Sequence, residues 1–323
     1  MTLLLCAGAL MKIRWWSASF VLGILSLAVP AGAVSSAELY RTQAHQFGRF
    51  EARLRFAAGD GVVSSFFLWK EGSDISGTFW NELDFEKVGA DCRLGTNPFY
   101  GLPAADHSRT ETVGIDPCAD YHTYSIEWTP TAIAWSVDGM DLRREEGDAA
   151  TAFAENTAAG MQVHFNIWPG DATFGGNFDP AILPVHQYIS WVAYSSYDNG
   201  TFTPEWREEF TAGTIPSGWA TGNWGSPKNL STHAPANDTF VDGIAVLSLT
   251  ADDARGFIGT PPPDGSGTAG SASGGESSSS DDAGCGCRVT AKGRADQAAH
   301  LLALAVAALI VLRQGSRKKR EHE

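Results

Sequence analysis

Basic residues are scarce in this chain: 23 Lys and Arg stand against 37 Asp and Glu, a net charge of -14. Between residues 34 and 259 they form no stripe, so the electrostatic footprint of a nucleic-acid partner is missing. No glycine-rich loop leads into a helix pattern, so no phosphate cradle is encoded. His and Cys nowhere take zinc-ligand spacing. Of the five cysteines, only Cys92 and Cys118 fall between residues 34 and 259. Neither stands beside a His in a nucleophile pattern. In an exported chain the two are expected to form a disulfide, with two buried thiols as the alternative. Long stretches of helical period are also few.

Both ends have the composition of addresses. Lys12 and Arg14 precede an apolar run at 20–29, and Ala31-Gly32-Ala33 follows. Residues 1–33 therefore have the form of a secretory signal, with the charged region starting at Met11, a candidate true start. The mature chain is expected to begin near Val34. Residues 260–284 are rich in Pro, Gly and Ser and match a flexible linker. In 285–323 come Cys285-Gly286-Cys287, an apolar run at 298–312 and Arg317-Lys318-Lys319-Arg320. The run is shorter than the ~20 residues of a spanning helix, and its basic flank fits the positive-inside rule. This order resembles the myxobacterial C-terminal sorting tag, which implies processing near Cys285 or Cys287 and attachment to the cell envelope. A plain tail anchor and a helix packed on the domain are the alternatives.

Residues 34–259 remain for the folded part. Alternating apolar and polar residues predict strands over 46–56, Val62–Trp69, His122–Trp128, Ala132–Val137, 162–167 and 188–194. Ala58-Gly59-Asp60-Gly61, Asp138-Gly139 and Pro169-Gly170-Asp171 supply turns between them. Many short strands with such turns predict an all-β, two-sheet sandwich.

One pentapeptide carries chemistry. Glu82-Leu83-Asp84-Phe85-Glu86 follows Trp80. On a strand, the three acids share one face and Leu83 and Phe85 take the other. Like charges in a row repel, and burial raises that cost. A solvated acidic strand tolerates this. So does an enzyme that needs one carboxylate and one carboxylic acid: a retaining glycosidase holds two such groups about 5–5.5 Å apart.

Further motifs occur in a fixed order around it: Glu38-Leu39-Tyr40, Gly48-Arg49-Phe50-Glu51-Ala52-Arg53, Val63-Ser64-Ser65-Phe66-Phe67, Tyr121-His122-Thr123-Tyr124-Ser125-Ile126-Glu127-Trp128 and Phe165-Asn166-Ile167-Trp168. Together they resemble glycoside hydrolase family 16, and among its branches the bacterial 1,3-1,4-β-glucanases, or lichenases. The resemblance implies a concanavalin A-like β-jelly-roll with a concave cleft. It implies endo-acting, retaining hydrolysis of mixed-linkage β-glucan without a catalytic cofactor, by a secreted monomer. Other specificities of the family, on xyloglucan or β-1,3-glucan, and a non-catalytic surface lectin are the alternatives.

By resemblance Glu82 is the nucleophile, Glu86 the acid/base and Asp84 the partner of the nucleophile. The strand's near-symmetry alone leaves the first two interchangeable. Trp80, Trp168 and Trp224 fall at sugar-platform positions, and Glu38, Phe67, Asn97 and Asn166 at other cleft positions. Around Asn97 the pattern departs from the family, because Pro98 stands where a regular strand continues. Backbone oxygens of Ser190, Glu209 and Gly243 match the positions of a structural calcium. Lichenases also begin with a segment that this chain lacks at its start. Residues 202–259 resemble that missing piece, so the whole chain resembles a circularly permuted branch. An independent carbohydrate-binding module is the other reading of this segment.

Overall fold

Strict alternation builds the sheets. Along Gly48–Arg55, Phe50, Ala52 and Leu54 are buried, while Arg49, Glu51, Arg53 and Arg55 keep contact with solvent. The protein is described by a computed structural model covering residues 33–252 and 255–265. The proposed signal and the Cys285/Cys287 tail lie outside these residues. Among the described residues, no helix is long and apolar enough to cross a membrane.

The first sheet runs in the order Trp219–Thr221, Val34–Arg41, Gln162–Pro169, Val62–Trp69, Trp80–Val88, Arg93–Gly101, each strand antiparallel to the next. The second runs Met140–Glu146, Ala132–Val137, His122–Trp128, Gly48–Arg55, Val185–Asp198, again antiparallel. The free edge of Val185–Asp198 is shared: Ile244–Ala251 covers its first part and Thr201–Glu208 its second. The sheets meet at one corner, where Val34 and Ser35 pair with Ala251 and Thr250. One helix, Asp148–Asn156, buries Ala149, Ala150 and Phe153.

Between the sheets lies one apolar core. Phe66, Phe85 and Phe165 come from the first sheet, and Phe50, Tyr124 and Trp135 from the second; all are 0 % exposed. Burying one such ring stabilises by roughly 2–3 kcal/mol. Two hydrogen bonds also cross the core: the Trp135 indole donates to the Asp84 carbonyl (3.0 Å) and the Gln187 amide to that of Ser65 (3.1 Å). They tie the backbone of the acidic strand and its neighbour to the opposite sheet. Cys92 and Cys118 are joined as a disulfide across 26 residues, a loop length worth roughly 3 kcal/mol.

This packing bears on two sequence readings. Residues from 201 onward are not an independent module. Phe210, Trp219, Leu247 and Leu249 belong to the common core, and their strands complete both sheets. The ordered chain also runs past residue 259, where a linker is expected. Pro261 is buried, the Tyr121 hydroxyl donates to the Pro262 carbonyl at 3.0 Å, and Arg53 pairs with Asp264 at 2.7 Å. These contacts cover a small second cluster of Tyr121, Ile244 and Val246, on which Tyr188 and Phe257 pack. Composition announces a linker; it cannot announce these partners.

Candidate active site

The acidic strand, Trp80–Val88, is split by parity. Asn81, Leu83, Phe85 and Lys87 face the core and are 0 % exposed. Trp80, Glu82, Asp84 and Glu86 take the other face. Lys87 is a charged residue on the apolar side. Its Nζ donates to the carbonyls of Gly59 and Val62, both at 2.9 Å, so the turn at 58–61 is pinned to this strand. Burial pushes its ammonium down to about 8.

The neighbours of each acid follow from register. Glu82 stands opposite Trp69 and Phe99, Asp84 opposite Phe67 and Asn97, and Glu86 opposite Ser65 and Gly95. Pro98 interrupts none of this. Its carbonyl faces the His107 imidazole at 3.1 Å, away from the acidic strand. A residue's N–H side matches its C=O side in a strand, so the missing donor removes no ladder bond there.

The three acids are electrostatically unequal. The Trp80 indole donates to Glu82 Oε2 at 2.7 Å. Asp84 is held well above the usual carboxylate range by burial, then by the charges of Glu82 and Glu86, and it is hydrogen-bonded to Glu82. Glu86 is pushed up to about 8, first by burial, then by the charges of Glu82 and Asp106. Glu86 thus holds its proton at neutral pH, and Asp84 is shifted in the same direction. Glu82, accepting from Trp80 and hydrogen-bonded to Asp84, is the member placed to carry the negative charge. Such a face can attack with one carboxyl and protonate with the other.

Beside Glu82 opens a cleft of about 360 Å³, lined by Glu38, Phe67, Asn166 and Trp224 among others. These four sequence candidates come together there. Trp80 is 8 % exposed, packed edge-on against Phe99 (5.4 Å) as well as bonded to Glu82. The lining of this cavity does not include Trp168 or Asn97. Trp168 is 4 % exposed and stacked on Phe174 at 5.8 Å, and the Asn97 amide oxygen accepts from the His107 backbone N–H.

Sequence reasoning passed over three further residues of the site. His164 lines the cleft, and its Nδ1 lies 2.9 Å from Glu38 Oε1. His233 Nε2 lies 3.2 Å from Glu38 Oε2, which also accepts from the Trp224 indole at 3.1 Å. Tyr40 lines the same wall. His164 shares parity with Asn166 and Trp168, so the alternation rule could have found it. Nothing local marks His233, whose partner Glu38 lies in a strand at the other end of the chain.

Ser190, Glu209 and Gly243 line one cavity of about 640 Å³ with Asp242 and Asp264, next to the second sheet. Gly243 has φ +76°, and a Cβ there would stand 3.5 Å from the Glu209 carbonyl. Backbone oxygens beside a carboxylate are a donor set suited to a hard cation, and this cavity brings the three residues together beside Asp242. Among the described residues, the one tight cluster of His, Cys, Asp and Glu donors is Cys92, Asp116 and Cys118. Its two sulfurs are already joined to each other.

Known proteins resemble this chain in sequence. The sequence profile of glycosyl hydrolases family 16 matches residues 17–193. A beta-glucanase from Fibrobacter succinogenes is 34 % identical over 251 residues, spanning 74 % of this chain and 70 % of that protein. A beta-glucanase from Bacillus subtilis is 30 % identical over 179 residues, spanning 54 % of this chain and 70 % of that protein. The solved Bacillus licheniformis beta-glucanase superposes with a TM-score of 0.43 at 26 % identity, covering 51 % of this chain and 78 % of that one. With its acidic strand, its sheets and these relatives taken together, this chain belongs to glycoside hydrolase family 16.

Proposed function

We propose that this glycoside hydrolase is an endo-acting, retaining β-glucanase that cleaves mixed-linkage 1,3-1,4-β-glucan by double displacement. The observation that carries the reading is the unequal pair on one strand face: Glu82 held by Trp80 and Asp84, and Glu86 kept protonated by burial. Glu82 attacks the anomeric carbon as Glu86 gives its proton to the departing glycosidic oxygen. A covalent glycosyl–Glu82 ester results. Glu86, now a carboxylate, takes a proton from water, which attacks the same carbon and frees Glu82. Trp80 and Asp84 stabilise the Glu82 carboxylate at the start and end of the cycle. The beta-glucanase relatives support the choice of glucan. A reducing-sugar assay on barley β-glucan, laminarin, xyloglucan and carboxymethylcellulose tests it; preference for any but the first would move the specificity elsewhere in the family.

The pH dependence follows from Glu86. Its raised pKa means the proton needed for leaving-group protonation is present below about 8 and lost above it. On barley β-glucan, kcat/KM is expected to fall about tenfold per unit of pH beyond that point. An alkaline limb that begins below neutrality would contradict the burial argument.

The same reading includes a circular permutation and a structural cation. Residues from 201 onward supply strands to both sheets, and the match to the Bacillus subtilis protein takes in a smaller share of this chain than the Fibrobacter match does. Both facts support a strand order permuted relative to the Bacillus relatives. For the cation, Ser190, Glu209 and Gly243 would offer backbone oxygens, with Asp242 beside them. Calcium there would tie together Val185–Asp198, the end of Thr201–Glu208 and the turn before Ile244–Ala251. Chelator is expected to lower the melting temperature by several degrees and added calcium to restore it. Melting curves that ignore both would remove the cation from this account.

A further inference from the structure

One wall of the cleft is carried by a loop. Trp224, Gly225, Pro227 and Asn229 line it, and they come from the connection between Trp219–Thr221 and Thr232–His233. The base of this connection is fixed to its surroundings. The Gly222 N–H donates to the Glu38 carbonyl at 2.7 Å, and the His233 N–H to that of Trp224 at 2.8 Å. The tip has no comparable ladder. Among the described residues, 227–230 form no strand pairing, and their backbone hydrogen bonds stay inside the loop, as from the Asn229 N–H to the Ser226 carbonyl. Lys228 and Asn229 also hold φ +61° and +53°, a left-handed conformation that non-glycine residues keep only where neighbours enforce it.

One side chain supplies that enforcement. Lys228 reaches from the tip to the turn at 171–174, where its Nζ donates to Asp171 Oδ1 at 2.7 Å and to the Thr173 hydroxyl. The Lys228 side chain is only 13 % exposed, so the contact is more than a solvated surface pair. Its anchor is itself well held. Asp171 Oδ1 also accepts from the N–H groups of Thr173 (2.8 Å) and Phe174 (3.2 Å), which closes the turn. Around it, the Gly170 N–H donates to the Gly61 carbonyl at 2.7 Å and the Gly89 N–H to that of Gly175 at 3.1 Å. Gly89 directly follows the acidic strand Trp80–Val88, so the turn is fastened to the sheet that bears the acids.

We propose that Lys228 is a positioning residue for substrate binding: by joining the loop tip to the Asp171 turn, it sets the Trp224–Asn229 wall in place on the acid-bearing sheet before any glucan arrives. This rests on the β-glucanase reading above. A wall already in place needs no ordering when the chain binds. The partners of Lys228 are Asp171 and Thr173, not an acid of Trp80–Val88. The tie therefore acts on binding and leaves the chemistry at Glu82 and Glu86 alone.

A mutant cycle on barley β-glucan tests this. Lys228→Met keeps most of the side chain's length and removes its donors. Asp171→Asn keeps an acceptor for the turn and removes the charge. Lys228→Met is expected to raise KM roughly fivefold, the cost of ordering a freed side chain or two on binding, with kcat changed by less than about twofold. Asp171→Asn should raise KM by less, and the double variant should be no worse than Lys228→Met alone. Lys228→Arg, which keeps the charge and the donors, should stay near the wild-type KM. On the Glu82→Gln background, the Kd for a β-glucan oligosaccharide should rise by the same factor, since no turnover enters it. Unchanged KM in folded Lys228→Met, a loss in kcat as large as that in KM, or losses that simply add in the double variant would overturn the proposal. A role in folding alone would lower the melting temperature and leave KM where it is, and that too would overturn it. Should Lys228→Met not fold, Asp171→Asn decides by the same KM and Kd readings. Wild-type protein that cleaves no β-glucan would instead sink the glucanase reading, and this inference with it.

Discussion

Glu82→Gln and Glu86→Gln are each expected to cut turnover of barley β-glucan by roughly three orders of magnitude while the fold survives. Both residues lie on the face of the strand turned from the core, so an isosteric amide leaves Leu83 and Phe85 packed as before. The two losses have different causes. Gln at 82 cannot attack the anomeric carbon, and Gln at 86 cannot lend a proton. Azide separates them when the side chains are shortened. In Glu82→Ala, azide takes the vacated face and displaces the leaving group directly, with one inversion, giving an α-glycosyl azide. In Glu86→Ala, azide attacks the glycosyl–Glu82 ester, with two inversions, giving a β-glycosyl azide. The opposite pair of products would show the two roles exchanged. Substantial activity in a folded Gln variant would remove that residue from the chemistry.

The second large effect concerns residues 202–259. A chain ending at Tyr197 is expected to lose its cooperative melt and its activity. It forfeits Phe210, Trp219, Leu247 and Leu249, all at most 6 % exposed. At roughly 1.5–3 kcal/mol for each large apolar side chain, that approaches or exceeds the 5–15 kcal/mol by which whole domains are stable. Truncation also strips one edge of Val185–Asp198, takes Trp224 from the cleft wall and removes His233 from behind Glu38. A cooperative melt with normal turnover would refute the role of this segment. Its position in the chain, by contrast, should matter little. The Asp252 N–H donates to the Ala33 carbonyl at 3.0 Å, so the last strand ends beside the start of the first. A gene that places residues 201–252 before residue 33, joined directly and cut open at the 199–200 turn, should yield a folded, active enzyme. Failure of that rearranged chain to fold would count against a permuted order.

Parity along a strand is a local property, and the local readings rest on it. Alternation alone places Glu82, Asp84 and Glu86 on one face and Leu83 and Phe85 on the other, and it marks Phe50, Ala52 and Leu54 as core. Having only two cysteines between residues 34 and 259 left Cys92 and Cys118 a single intramolecular pairing. Tertiary structure decided what depends on distant neighbours. Glu82 and Glu86 are nearly equivalent in the sequence. They differ in the fold because Trp80 and Asp84 are hydrogen-bonded to the first, while burial and the charges of Glu82 and Asp106 act on the second. Trp168 shares the parity of His164 and Asn166, and the ring it stacks on, Phe174, comes from a loop no periodicity describes. Glu38 acquires its partners from Gln162–Pro169 and from His233 only once the last strands close onto the first. Which face a side chain takes is decided by the residue two positions away; what charge it bears and what it touches are decided by segments that meet only when the sandwich is complete.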